Sequence, residues 1–179
     1  MEIWLVRHGE TDWNAQGRVQ GWTDVPLNAE GRRQASLLAQ CLKSISFEHI
    51  YASDLSRALD TARIVADAVG APVTPLACLR EHRFGQAEGL LRQESDRRFP
   101  NGAPDREPPE ALRSRVTQCL QDIVSTPQVA FSSRPTAASF APFSAGSDTV
   151  IRPSPTRASL VYTYMLMALT SWASMKRPI

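Results

Sequence analysis

The chain has 179 residues, 42% of them hydrophobic and 21% charged, enough to bury one core and short for two domains. A formal net charge of +2 with no Lys/Arg block excludes the charge pattern of a nucleic-acid binder. Three cysteines (Cys41, Cys78 and Cys119) lack framework or zinc-ligand spacing, and the N-terminus has no secretory pattern, which points to a reduced, cytoplasmic protein.

Residues 3–6 form a continuous apolar run, the signature of a central buried strand. Behind Gly31, the residues Ala35, Leu38, Leu42 and Ile45 fall at helical spacing. Ile50-Tyr51-Ala52 reads as a second strand, with Ser53 placed to cap the helix that follows. That helix presents Leu55, Ala58, Leu59, Ala62, Val65, Ala66 and Val69 on one stripe and stops at Gly70. Residues 73–76 make a weak strand. Leu112, Val116, Cys119, Leu120 and Ile123 mark a further amphipathic helix after a Pro/Gly-rich loop at 100–109. Cys41 and Cys119 fall on apolar helix faces and are expected to act as small hydrophobes. Trp4, Trp13 and Trp22 read as packing residues. Arg92, Arg97 and Arg98 read as a solvated helix face. Strands alternating with helices specify an α/β domain whose polar residues gather outside the carboxyl ends of the strands.

Composition changes near Val124. Residues 1–124 carry fifteen basic and seventeen acidic residues, whereas 125–179 carry five and one. Through Pro155 the second part lacks a sustained period and reads as loop or disorder. Residues 160–175 are more apolar but interrupted by Thr163, Thr170, Ser171 and Ser174, which suggests a helix rather than a membrane span. The chain therefore divides into a domain at 1–124 and a divergent tail at 125–179.

The first strand delivers Arg7-His8-Gly9-Glu10-Thr11 at its carboxyl end. A neutral imidazole there can attack phosphorus and split one displacement into two easier ones. Arg7 supplies a planar, permanently charged fork for phosphate oxygens. Gly9 permits a tight turn and lets its N–H approach an anion. Arg57, in the first turns of the helix after Ser53, makes a second phosphate clamp. Leu79-Arg80-Glu81 follows the third strand and puts a carboxyl group on the same rim, placed to protonate a leaving oxygen. Taken singly, each has a plainer reading: a strand-end histidine, a solvated arginine, a surface partner for Arg80 or Arg83. Their coincidence at matching strand ends favours chemistry.

These residues resemble the signature of the histidine phosphatase superfamily, also called phosphoglycerate-mutase-like. The likeness runs through Leu5-Val6-Arg7-His8-Gly9-Glu10-Thr11 with Trp13-Asn14, then Gly21-Trp22, Asp24-Val25-Pro26-Leu27, Gly31 and Gln34-Ala35. It resumes in Tyr51-Ala52-Ser53-Asp54-Leu55-Ser56-Arg57-Ala58 with Thr61-Ala62, and in Leu79-Arg80-Glu81 with Phe84-Gly85 and Glu88-Gly89. The resemblance implies a three-layer α/β/α sandwich, incomplete at its carboxyl end, that needs no metal or other cofactor. It implies that His8 carries the phosphoryl group while Arg7, Asn14 and Arg57 hold its oxygens. Gln20 and Gly21 would lie near substrate, and Glu81 would donate and accept the proton.

Family members carry a second catalytic histidine in a Ser/Thr-His-Gly-Gly element, expected here near 134–142. Those positions read Arg-Pro-Thr-Ala-Ala-Ser-Phe-Ala-Pro. The only other histidines, His49 and His82, lie upstream, and neither is a convincing replacement. A frameshifted or unrelated tail explains why charge balance, periodicity and motif fail together; a divergent tail is the alternative. The expected activity is that of a phosphomonoester hydrolase on a small phosphorylated metabolite, weakened or inactive without the second histidine. A phosphomutase of the glycolytic type and a non-catalytic phospho-ligand-binding remnant are the alternatives. The short stretch after Glu81 favours the small phosphatases over the mutases. Neither nucleic acid nor membrane is an expected partner, and the oligomeric state is open.

Overall fold

The computed structural model describes residues 2–125, 150–151 and 164–169. The first apolar run becomes strand β1 (Glu2–Arg7), and Thr11 caps the one-turn helix α1 (Asp12–Ala15) in a capping box with Asn14. Helix α2 (Ala29–Leu42) starts at Asn28, whose side chain accepts the Gly31 N–H at 2.8 Å, and buries Ala35, Ala39 and Leu42. Strand β2 (His49–Ala52) leads to helix α3 (Ser56–Val69), which ends at Gly70 with φ +73°. Strand β3 (Val73–Pro75), helix α4 (Arg92–Arg98) and helix α5 (Pro109–Ser125) follow. Strands β4 (Val150–Ile151) and β5 (Tyr164–Leu169) complete the described elements.

The strands form one sheet in the order β3-β2-β5-β1-β4. β5 runs antiparallel to both β1 and β2, so those two point the same way, and β3 is parallel to β2. The carboxyl ends of β1, β2 and β3 therefore share one edge, and the site is built there. Alternation along the strands separates two layers of packing. Trp4, Val6, Ile50 and Ala52 meet Ala39 and Leu42 of α2 and Ala62, Val65 and Ala66 of α3. Ile3 and Tyr51 point the other way, towards Cys119 and Ile123 of α5. Helices on both faces make the three-layer α/β/α arrangement.

Four local expectations are corrected. Tyr164–Leu169 is a strand, not part of a helix, because a short apolar run fits either form and the gap between β1 and β2 needs a hydrogen-bonding partner. Ser53 does not cap α3: the helix begins after Leu55, beyond reach of that hydroxyl for the first-turn amides. Asp24 Oδ1 instead accepts the Ser56 N–H at 2.8 Å and its hydroxyl at 2.7 Å. Cys78 and Cys119 are joined as a disulfide, with Cα atoms 5.8 Å apart, whereas Cys41 is exposed. Their separation of 41 residues gave no sign that the fold would bring them together. Leu5 of the supposedly buried run is 39% exposed, because α5 covers that face only in part. Among the described residues, no helix is long and apolar enough to cross a membrane.

Two glycines fix how the loop after β1 meets α2. A Cβ on Gly9 would run into the backbone of Gly31, and one on Gly31 into that of Glu10. Both obstacles are main chain and cannot rotate away. The Glu10 carbonyl also accepts the Asn28 N–H at 3.0 Å, so the loop and the helix start act as one unit. Gly31→Ala is expected to lower stability by roughly 1–3 kcal/mol, the range for overpacking a close contact. A urea melt showing no loss would contradict this contact.

Candidate active site

His8 stands one residue beyond β1, 7% exposed, with its Nδ1–H donating to the Gly9 carbonyl at 2.6 Å. A carbonyl can only accept, so Nδ1 carries the proton and the lone pair is at Nε2. Burial pulls the imidazole pKa from 6.5 down to about 4; the Gly9 hydrogen bond opposes this, and the charges of Arg57 and Arg7 add to it. The ring is thus held neutral, with a fixed tautomer, across the ordinary pH range. Gly9 N–H donates to Thr61 Oγ1 at 3.1 Å, which corrects the expectation that it faces an anion. Thr61 Oγ1 in turn donates to the Arg57 carbonyl at 2.8 Å, so α3 takes up the amide that the tight turn exposes.

The buried imidazole makes stability depend on pH. Between about pH 6.5 and 4 the unfolded chain binds a proton at His8 that the folded chain refuses, so stability falls as pH falls through that window. The whole shift corresponds to about 3 kcal/mol. His8→Gln is expected to lose correspondingly less stability than the parent between pH 7 and pH 4 in urea titrations. Equal losses would contradict a neutral, buried His8.

Arg57 is fully buried. Its Nη2 donates to the Gly21 carbonyl at 2.8 Å and to Glu81 Oε2 at 3.1 Å, while Nη1 donates to the Thr23 carbonyl at 3.0 Å. It therefore ties the 21–23 loop to the Glu81 carboxylate, itself only 9% exposed, and places its charge near His8. Arg7 is exposed at the end of β1, and its charge also reaches His8. Thr11 Oγ1 donates to buried Gln20 Oε1 at 2.7 Å, and Asn14 Oδ1 accepts the Thr11 N–H at 3.2 Å. Gln20 and Asn14 are thus set through one threonine. Gly21 has φ +58°, and a Cβ there would strike the Glu88 carboxylate.

Glu88 was absent from the sequence-derived site, yet its carboxylate accepts from Trp22 N (3.0 Å), Thr23 N (2.8 Å), Thr23 Oγ1 (2.6 Å) and Phe84 N (2.9 Å). It locks the loop bearing Gln20 and Gly21 to the segment after Glu81. Trp22 does more than pack: its Nε1–H donates to the Glu81 carbonyl at 2.8 Å. Arg80 forks onto Asp54, with Nε at 2.7 Å from Oδ1. Apart from the Phe84 contact, these join positions 26–66 residues apart, and no local pattern signals them. His49 bonds to Thr74 Oγ1 at 2.8 Å, and His82 bonds to the Glu107 carbonyl, so neither is directed at His8. The interval 134–142, where the second histidine was expected, lies outside the described residues. Among the described residues, no three His, Cys, Asp or Glu side chains gather as a metal site.

The chain has clear relatives among known proteins. The family described as "Histidine phosphatase superfamily (branch 1)" matches residues 3–131. The Bacillus subtilis (strain 168) protein named "Uncharacterized phosphatase PhoE" is 41% identical over 115 residues, covering 64% of this chain and 60% of that one. An Enterobacter sp. (strain 638) protein named "Probable phosphoglycerate mutase GpmB" is 39% identical over 140 residues, covering 72% and 65%. This chain thus spans less than two thirds of the length of these relatives. Among solved structures, Bacillus stearothermophilus YhfR superposes with a TM-score of 0.64 at 31% identity, covering 70% of this chain and 69% of that one. A mycobacterial glucosyl-3-phosphoglycerate phosphatase in complex with VO3 superposes with a TM-score of 0.62 at 28% identity, covering 71% and 70%.

Proposed function

This chain belongs to the histidine phosphatase superfamily, and on that footing we propose that it is a phosphomonoester hydrolase acting through a phosphohistidine on His8. The observation that carries the proposal is the His8 ring itself: buried, neutral, and presenting Nε2 because Nδ1 is engaged by Gly9. In the first step a phosphate monoester bound as its monoanion passes its proton to the Glu81 carboxylate, Nε2 attacks phosphorus, and the P–O bond to the alcohol breaks as Glu81 gives that proton to the leaving oxygen. In the second, water attacks the phosphohistidine, Glu81 takes a proton, and His8 returns to neutral with release of phosphate. Arg7, Asn14 and Arg57 offset the charge on the phosphoryl oxygens, and Gln20 and Gly21 border the substrate. The substrate is a small phosphate ester, and a cytoplasmic location fits that role.

Residues 83–179 hold no histidine, so this stretch offers the phosphoryl group no imidazole donor. A missing preorganised donor typically lowers the rate by about 10²–10³. Slow turnover is therefore the expected behaviour. Quenching the protein with a labelled phosphate ester should leave a phosphoryl group on the peptide that contains His8. Label on no peptide, or on another residue, would refute the mechanism. Label that passes to a second phosphorylated alcohol in preference to water would assign the chain to phosphomutase chemistry, which its similarity to a mutase-named relative makes the second reading.

A further inference from the structure

Arg115, in the second turn of α5, uses all five of its N–H donors. Nε donates to Glu107 Oε1 at 2.9 Å and Nη2 to Glu107 Oε2 at 2.8 Å. Nη1 donates to the carbonyls of Cys78 at 2.8 Å and Arg80 at 2.9 Å, and Nη2 also reaches the Glu81 carbonyl at 3.3 Å. Three carbonyls of one four-residue segment thus converge on one guanidinium, and that segment ends in the proposed proton donor. The Trp22 indole, 5.7 Å from the same guanidinium, gives the Glu81 carbonyl its second bond. A disulfide between Cys78 and Cys119 attaches the segment to α5 again, one helical turn beyond Arg115.

We propose that Arg115 is the positioning residue for Glu81: by holding the carbonyls of Cys78, Arg80 and Glu81, it sets where the carboxyl group meets the leaving oxygen. This rests on Glu81 acting as the acid in the proposed hydrolysis. The segment 78–81 has little regular structure of its own beyond the turn at Ala77–Leu79, so its path is decided by what grips it. Arg57 holds the carboxylate and Arg115 holds the main chain behind it, and a carboxyl group fixed at both ends has little freedom to swing. The two carboxylate oxygens of Glu107 keep the guanidinium in plane, and a planar five-donor fork is something lysine cannot reproduce.

A residue that only stabilises the fold and one that aims an acid predict different kinetics. Expelling nitrophenolate needs little help from an acid, whereas expelling an alkoxide needs a great deal. Arg115→Lys should therefore lose turnover of a primary alkyl phosphate by up to about 10²-fold, the scale for misplacing a catalytic group by an ångström. Its loss on 4-nitrophenyl phosphate should be small. The effect should appear in kcat with KM little changed, and guanidinium ion added to Arg115→Ala should restore turnover of the alkyl ester. Glu107→Gln, which loosens the same fork, should give a weaker version and serves if the Arg115 variants do not fold.

Glu81→Gln provides the reference, with an expected alkyl-selective loss of about 10²–10⁴ for a general acid. If Glu81→Gln discriminates between the two esters and neither Arg115→Lys nor Glu107→Gln does, the positioning role is overturned while the acid assignment stands. If Glu81→Gln itself fails to discriminate, or the parent chain turns over neither ester, the reading on which the proposal rests is overturned with it.

Discussion

Replacing His8 by alanine should abolish turnover of a chromogenic phosphate ester, lowering kcat by about 10⁴-fold or more, as removal of a covalent nucleophile does. The size follows from the kind of group lost. In the proposed mechanism every other residue at the rim adjusts charge, position or protonation, and a site lacking one of these still has its nucleophile. Without the ring there is no phosphoenzyme, and water would have to attack the ester in one step. The fold should survive, because His8→Ala removes a ring whose side-chain hydrogen bond goes to its neighbour Gly9. Circular dichroism and a urea midpoint near that of the parent would establish this. Equal rates in parent and variant would mean that the activity does not use His8.

Arg57→Ala should be the most costly single substitution for stability. The guanidinium is fully buried, and its loss leaves the Glu81 carboxylate without its 3.1 Å partner in a site that water barely enters. Removing one member of a buried pair typically destabilises by about 3–5 kcal/mol, since the remaining charge is stranded. The carbonyls of Gly21 and Thr23 lose their donor as well. Denaturant unfolding of Arg57→Ala should therefore show a loss of that order, and Arg57→Ala combined with Glu81→Gln should recover part of it by removing the stranded charge. A double variant no more stable than Arg57→Ala would mean that the pair does not account for the loss. The exposed pair Arg33–Glu30, at 2.6 Å, is the contrast: its geometry is as good, but water screens it.

Much of the fold was legible because its elements are locally specified. The stripe of α3 through Ala58, Ala62, Val65 and Ala66 and its stop at Gly70 follow from helical spacing and a left-handed cap, and both are found as read, with Leu55 placed just before the helix. The candidate site was legible in its candidate groups for a related reason: strand ends deliver side chains to one edge, and Arg7 ends β1, His8 follows it, and Arg57 and Glu81 come after β2 and β3. Errors arose where two forms share a pattern or a partner is distant. Tyr164–Leu169 is as apolar as a helix would be, and only the gap between β1 and β2 makes it a strand. Cys78 looked like an unpaired thiol until α5 brought Cys119 beside it.

The amino-acid order alone thus determined which groups are candidates for the proposed chemistry and which elements carry them, since side-chain type and periodicity are properties of short segments. The tertiary structure decided how those groups are held: the His8 tautomer through Gly9, the burial of Arg57 against Glu81, the Glu88 clasp on Trp22 and Thr23, and the fork of Arg115 on residues 78–81. Apart from the Gly9 contact, these join positions far apart in the chain. Their energy comes from desolvation and hydrogen-bond direction, and neither exists until folding has closed the space around them.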